Sequence, residues 1–178
     1  NQPNMATWNQ DLYLDALNFA AHVHHGQTIP GGEVPYVVHL CQVAMEVMAS
    51  PNCDNLSLAC ALLHDTLEDT PTTFEQVRDK FGQEIAEGVQ ALTKNPDLPK
   101  AEQMNDSLRR LLDCPSQVQM VKLADRITNL HEPPHYWTQE KRRAYREEAR
   151  QILAALAQAD PSLAQRLADK IQDYSQYF

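Results

Sequence analysis

Glycine is scarce in this chain, with five among 178 residues, and alternation of apolar and polar residues is weak. A β-rich architecture needs turn glycines and period-two patterning, so these absences argue against one. No apolar run approaches the ~20 residues that a membrane-spanning helix requires. The first residues hold no basic stretch leading into an apolar core, so no signal peptide is expected, and residues 1–6 read as a disordered tail. None of the four cysteines forms a C-x-x-C pair. Cys41 and Cys60 fall in apolar helical patterns and read as buried free thiols of a reducing compartment. Positive charge is also short, with 15 Lys and Arg against 24 Asp and Glu and a net charge of −9. A surface of that sign excludes broad binding to nucleic acid or an acidic membrane. A small phosphorylated ligand stays open, because a bound cation and a few local Lys or Arg side chains reverse the sign inside a cleft.

What is abundant is helix-forming: Ala, Leu, Gln and Glu dominate. Leu12, Ala16, Phe19, Ala20 and Val23 share one face of an expected helix over 7–25. The breakers Pro30, Gly31, Gly32 and Pro35 require a loop over 26–35. Helices are expected over 36–50 and, nearly all-apolar and hence central, over 56–68. Thr72-Thr73-Phe74-Glu75 reads as a cap and acidic first turn for a helix ending at Gly82. Further helices follow over 83–93, 100–113, 116–130 with Ser116 as cap, 137–157 and 162–174. The pattern implies an all-α bundle of about nine helices in one soluble, cytoplasmic domain.

The chemistry gathers at Ala61-Leu62-Leu63-His64-Asp65-Thr66-Leu67-Glu68-Asp69-Thr70. A buried helix that ends in two acid-containing pairs needs partners or a cation, because an unpaired buried carboxylate is costly. Adjacent helical residues point about 100° apart, so His64 and Asp65 share one ion only if it sits between them near a helix end. Glu68 and Asp69 lie at i+4 from His64 and Asp65. They either orient and deprotonate a metal-bound water or cap the next segment. A lone helical histidine such as His39 is more often packed than ligating, and His22, His24, His25, His131 and His135 carry the same caution. Lys122, Asp125 and Asn129 share a helix face at i, i+3 and i+7. Lys122 and Asp125 form an intrahelical ion pair there, or Asp125 is a ligand and Asn129 a substrate contact.

Taken together, His39, His64-Asp65 and Asp125 resemble the H…HD…D pattern of the HD metallohydrolase superfamily. The surrounding Ala20-Ala21-His22, Gly26-Gln27, Pro35-Tyr36, Phe81-Gly82, Leu92-Thr93 and Lys122-Leu123-Ala124-Asp125-Arg126 are similar to the hydrolase domain of Rel/SpoT alarmone enzymes. Leu98-Pro99-Lys100 and the stretch from Trp137 to Tyr145 resemble the stand-alone animal members. The resemblance spans about residues 16–153, and the chain 1–178 is expected to be one such HD hydrolase domain.

The resemblance implies a Mn²⁺-dependent (p)ppGpp 3′-pyrophosphohydrolase whose partner is a phosphorylated purine nucleotide. His39, His64, Asp65 and Asp125 would hold the metal, and Glu68 and Asp69 would position or activate water. Asn129 and Tyr145 would contact the nucleoside and Lys100 a phosphate, with Lys122 and Arg126 as further substrate contacts. Two imidazoles and two carboxylates suit Mn, Fe or Co better than a closed structural zinc site. One departure stands out: the loop reads Thr28-Ile29-Pro30-Gly31-Gly32 where the family carries an Arg-Lys pair against the base. Without that cationic platform, an adenine alarmone or NADPH competes with the guanine substrate. The connection over 130–144 is also shortened. Another phosphohydrolase activity, such as a nucleotidase, is the enzymatic alternative. A nucleotide-binding regulatory HD module is the non-enzymatic one, and it would be expected to lack a ligand or the Glu68-Asp69 pair.

Overall fold

The computed structural model describes residues 7–178; the tail expected over 1–6 lies outside them. The described residues form ten α-helices and two 3₁₀ turns, and their one extended pairing is an isolated bridge between Thr28 and Pro35. Helix α1 (Gln10–Val23) starts later than residue 7, because the Asn9 side chain caps it by accepting from the Asp11 and Leu12 amides. Helix α2 (Tyr36–Met48) follows the expected loop. Asp54 and Ser57 form a reciprocal capping box at the start of α3 (Asn55–Leu63).

The expected single helix over 56–68 is broken. It stops at Leu63, and a separate turn, α4 (Thr66–Asp69), follows. Local side chains drive the break. Thr66 Oγ1 donates to the Leu63 carbonyl at 2.7 Å and His64 Nδ1 to the Ala61 carbonyl at 2.7 Å, in competition with backbone amides. This extra element turns nine expected helices into ten.

Helices α5 (Phe74–Phe81) and α6 (Gln83–Leu92) flank Gly82, whose φ of +95° is open to glycine at no steric cost. Thr73, rather than Thr72, caps α5. Helices α7 (Lys100–Leu112), α8 (Ser116–Asn129), α9 (Gln139–Leu156) and α10 (Pro161–Asp173) complete the bundle. Ser116 is the first residue of α8 and makes no capping bond; Pro115 precedes it, and its missing amide donor costs the helix start nothing. Thr138 caps α9 and Asp160 caps α10, so both begin one or two residues away from the sequence expectation.

Helix α3 is the central rod. Leu56 to Leu63 are all buried, and α1, α2, α6 and α8 surround them. Burying each of its leucines contributes about 2 kcal/mol, so this helix anchors the core. The four cysteines are free thiols; Cys53 and Cys60 are buried, whereas Cys41 and Cys114 are half-buried.

Close approach of α6 to this rod depends on Gly88. A Cβ there would stand 2.7 Å from Cys60 Sγ and 3.1 Å from Val118 Cγ2. Gly88→Ala is therefore expected to destabilise the fold by about 2 kcal/mol, overpacking outweighing the helix-propensity gain; a urea melt checks it.

At the far end, Asp160 is fully buried and fully partnered. It accepts from Ser50 Oγ, from Asn52 Nδ2 at 2.9 Å, from Ser162 Oγ at 2.6 Å and from the Leu163 amide at 2.9 Å. The carboxylate thus ties the α2–α3 connection to the start of α10. Burial alone would raise its pKa, but these donors hold it below the usual carboxylate value. A depressed folded pKa gives stability that is present above the unfolded value and lost as pH falls through the folded one. Asp160→Asn is expected to cost about 2 kcal/mol near neutral pH, and the gap from wild type to narrow below roughly pH 4, as paired melts at several pH values would show.

Candidate functional site

Three helices bring the site together. Helix α2 supplies His39, the break after α3 supplies His64 and Asp65, and α8 supplies Asp125. His39 Nε2 lies 3.1 Å from Asp125 Oδ1 and 3.7 Å from Asp65 Oδ2. His64 Nε2 lies 3.0 Å from Asp65 Oδ2 and 3.3 Å from Asp125 Oδ1. The break at residues 64–65 matters here: it lets neighbouring side chains converge on one point, which a continuous helix would splay apart.

These atoms fit a cation. Both imidazoles are buried, and neither Nε2 has a hydrogen-bond partner. The bond from His64 Nδ1 to the Ala61 carbonyl puts that ring's proton on Nδ1, so its Nε2 presents a lone pair to two carboxylate oxygens. Lone pairs facing carboxylates repel unless positive charge lies between them. In the absence of a cation, a proton on His64 takes that place. Burial lowers the His64 pKa, but the Asp65 and Asp125 carboxylates outweigh it and carry the pKa well above the ordinary value. Burial raises Asp125, and its contacts with His39 and His64 reverse this, holding it well below the ordinary carboxylate range. Such a mixed nitrogen and oxygen donor set suits a divalent transition metal.

A second layer holds these groups in place. The Tyr36 hydroxyl donates to Asp65 Oδ2 at 2.6 Å, and Asn129 Nδ2 donates to Asp125 Oδ1 at 3.1 Å. The His24 ring lies behind Tyr36, with centroids 5.1 Å apart, and its Nδ1 meets Gln27 Oε1 at 2.8 Å. Gln27 in turn donates to the Asp69 carbonyl at 2.9 Å, linking the α1–α2 loop to the acidic turn. Sequence reasoning gave Tyr36 no role. Its position three residues before His39 puts both on one helix face, and that spacing was the available signal.

Asp65, Glu68 and Asp69 bring carboxylate oxygens within 4.8 Å of one another. Glu68 Oε1 accepts from the Lys94 amide at 2.8 Å. Asp69 is exposed as a residue, yet the cleft desolvates its carboxyl, and with the Asp65 and Glu68 charges beside it the pKa rises to about 6. A carboxyl poised there exchanges protons near neutrality.

Two cavities meet at the cluster. One, of about 200 Å³, is a polar cleft walled by His64, Asp65, Glu68, Lys94, Lys122 and Arg126, among others. The other, of about 330 Å³, is largely apolar and aromatic, with Ile29, Pro30, Pro134, Trp137 and Tyr174 in its walls. Tyr36, Asp69, Asn129 and Tyr145 line both. Lys122 and Asp125 make no ion pair, because Asp125 turns its oxygen to the imidazoles. Arg126 is buried, stacks 4.0 Å from the Tyr145 ring centre and donates to the Tyr145 carbonyl at 3.2 Å. Lys100 stands apart from both cavities, exposed in the first turn of α7. Lys94, between the helices expected over 83–93 and 100–113, reaches the cleft. Of the other histidines, His22, His25, His131 and His135 are exposed, and His24 is buried behind Tyr36.

Comparison with known proteins gives a consistent set of relatives. A family profile described as HD domain matches residues 16–162. The guanosine-3′,5′-bis(diphosphate) 3′-pyrophosphohydrolase MESH1 of Danio rerio is 34% identical over 162 residues, covering 88% of this chain and 90% of its own length. The protein of the same name from Xenopus tropicalis is 33% identical over 168 residues, covering 91% and 94%. A solved structure, described as a metazoan orthologue of SpoT that hydrolyzes ppGpp and plays a role in starvation responses, superposes with a TM-score of 0.84 at 29% identity. It covers 97% of this chain and 100% of that one.

Proposed function

The chain belongs to the HD-domain family, and from that premise we propose that it hydrolyses the 3′-diphosphate of a hyperphosphorylated purine nucleotide, ppGpp in the first instance, releasing pyrophosphate. The observation that carries this reading is the pair of buried, unpartnered imidazole nitrogens facing two carboxylates where a polar cleft joins an aromatic cavity. His39, His64, Asp65 and Asp125 would hold one Mn²⁺. When bound, the ion would lower the pKa of water and offset charge developing on the phosphoryl group.

The remaining roles belong to the protein's own groups. A water oxygen bonds to the phosphorus next to the ribose, the bond from that phosphorus to O3′ breaks, and O3′ takes up a proton. Glu68 and Asp69 stand at the cluster's edge to orient the water and carry its proton, Asp69 with a pKa suited to the task. The purine and ribose lie along the aromatic cavity against Trp137, Tyr145 and Asn129, where stacking supplies affinity. Tyr36 fixes the direction of the Asp65 carboxylate. We assign the protein to the cytoplasm, a reducing compartment that suits its four free cysteines.

The cavity walls bear on the base. They include Thr28, Ile29 and Pro30 and contain no Lys or Arg, so contacts to the ring are apolar and stacking rather than cationic. That favours tolerance of adenine beside guanine. Mn²⁺-loaded protein incubated with ppGpp and with its adenine counterpart is expected to release pyrophosphate. Metal bound and no release from either would refute the assignment.

A further inference from the structure

The three cations of the polar cleft are not equivalent. The Arg126 guanidinium is engaged by the Tyr145 ring and carbonyl and by Glu148 Oε2 at 3.4 Å. Lys122 is only 7% exposed, and among the described residues no hydrogen bond or ion pair holds its ammonium. Lys94 makes no ion pair either, and the bond from its backbone amide to Glu68 fixes it at the edge of the same cleft. Neither ammonium has a direct partner, although the Asp125 and Glu68 carboxylates of the same cleft act on Lys122 from a distance. Two ammonium groups with free donors at one cleft can bridge phosphate oxygens. The aromatic cavity offers no such charge, since no Lys or Arg lines it.

Resting on the reading given under Proposed function, we infer that Lys94 and Lys122 hold the outer phosphate of the 3′-diphosphate, and so the pyrophosphate as it leaves. The order of the cavities dictates this. A purine in the aromatic cavity puts the phosphorus next to the ribose at the cluster. The next phosphate along the chain then enters the polar cleft, beside the two unpaired ammonium groups. Lysine suits the task, since it is a compact point charge with rotatable donors that follow a phosphate as it departs. The pair thereby selects a 3′-diphosphate over a shorter phosphate chain.

Calorimetric titration of inorganic pyrophosphate, and separately of a nucleoside 5′-diphosphate, into the metal-free protein tests this without relying on turnover. Lys94→Gln and Lys122→Met are each expected to weaken pyrophosphate binding about tenfold and to leave the nucleoside 5′-diphosphate within about twofold. Circular dichroism melts monitor folding; should the buried Lys122→Met unfold, the half-buried Lys94→Gln decides the outcome alone. Unchanged pyrophosphate affinity overturns the inference. So does a matching loss for the nucleoside 5′-diphosphate, which would assign the lysines to the 5′ phosphates. A wild type that binds pyrophosphate through these lysines yet releases none from ppGpp would refute the proposed reaction and leave this subsite standing.

Discussion

Asp65→Ala is expected to abolish metal binding and lower pyrophosphate release by at least about a thousandfold, the scale set by losing several kcal/mol of charge stabilisation. The reason lies in how many contacts converge on this one carboxylate. Its Oδ2 stands 3.0 Å from His64 Nε2 and 3.7 Å from His39 Nε2, and it accepts from the Tyr36 hydroxyl. Removing it leaves two imidazoles and a single carboxylate, and it leaves the Tyr36 hydroxyl without its acceptor. Stability should respond in a way that separates a ligand from a core residue. In the metal-free protein burial and the Asp125 charge work against the Asp65 carboxylate, but His64 and Tyr36 outweigh them and hold its pKa below the ordinary value. Deleting it is therefore expected to lower the metal-free melting temperature only modestly, since the favourable and opposing contacts are lost together. Saturating Mn²⁺ is expected to raise the wild-type melting temperature by several degrees, following a linkage of about 3 kcal/mol at a hundredfold excess over Kd, and to leave the variant unmoved. A variant that still gains stability from Mn²⁺ would remove Asp65 from the ligand set.

The helices and their order were legible because the bundle is patterned in the simplest way: apolar faces at helical spacing, interrupted by proline, glycine and capping residues. The all-α class follows from that, as does the central place of α3. What sequence periodicity could not show is the break after Leu63. Its causes are the Thr66 hydroxyl and the His64 Nδ1, which take carbonyls of the preceding turn. Such local competition leaves no mark on the apolar pattern, because Leu67 continues the apolar spacing of the preceding helix. Helix starts were misjudged for a related reason. Asn9, Thr138 and Asp160 each act through a side chain that accepts from an amide two or three residues on, and several polar residues nearby could equally have done so.

The site divides along the same line. His39, His64, Asp65 and Asp125 could be paired from their motif, and the structure brings each imidazole Nε2 within 4 Å of both carboxylates. Lys94 could not, since it lies in a loop and meets the site only through a tertiary bond to Glu68. Of the two readings open for Lys122 and Asp125, the intrahelical pair at i+3 spacing fails: two imidazoles take the same carboxylate oxygen, and their convergence outweighs a pair worth a few tenths of a kcal/mol.

Glu68→Gln separates proton chemistry from metal binding. Glutamine keeps an oxygen to accept from the Lys94 amide, so the turn at residues 66–69 and the loop it holds should persist. What is lost is the charge, and with it the ability to orient and deprotonate water. Turnover is expected to fall about 10²–10⁴-fold, the range for removing a positioned acid–base group, with Mn²⁺ affinity measured by calorimetry close to wild type. Asp69→Asn should behave differently if the two carboxylates divide the work. Its pKa near 6 makes Asp69 the group that carries the proton, so its loss should flatten the acidic limb of the rate profile, whereas Glu68→Gln should lower the whole profile. In the metal-free protein the carboxylate form of Asp69 grows as pH rises through about 6; a cation offsetting the Asp65 charge lowers that value, so turnover is expected to rise with pH over an interval below about 6. Loss of Mn²⁺ binding in Glu68→Gln would move Glu68 into the ligand set and leave Asp69 alone to activate water.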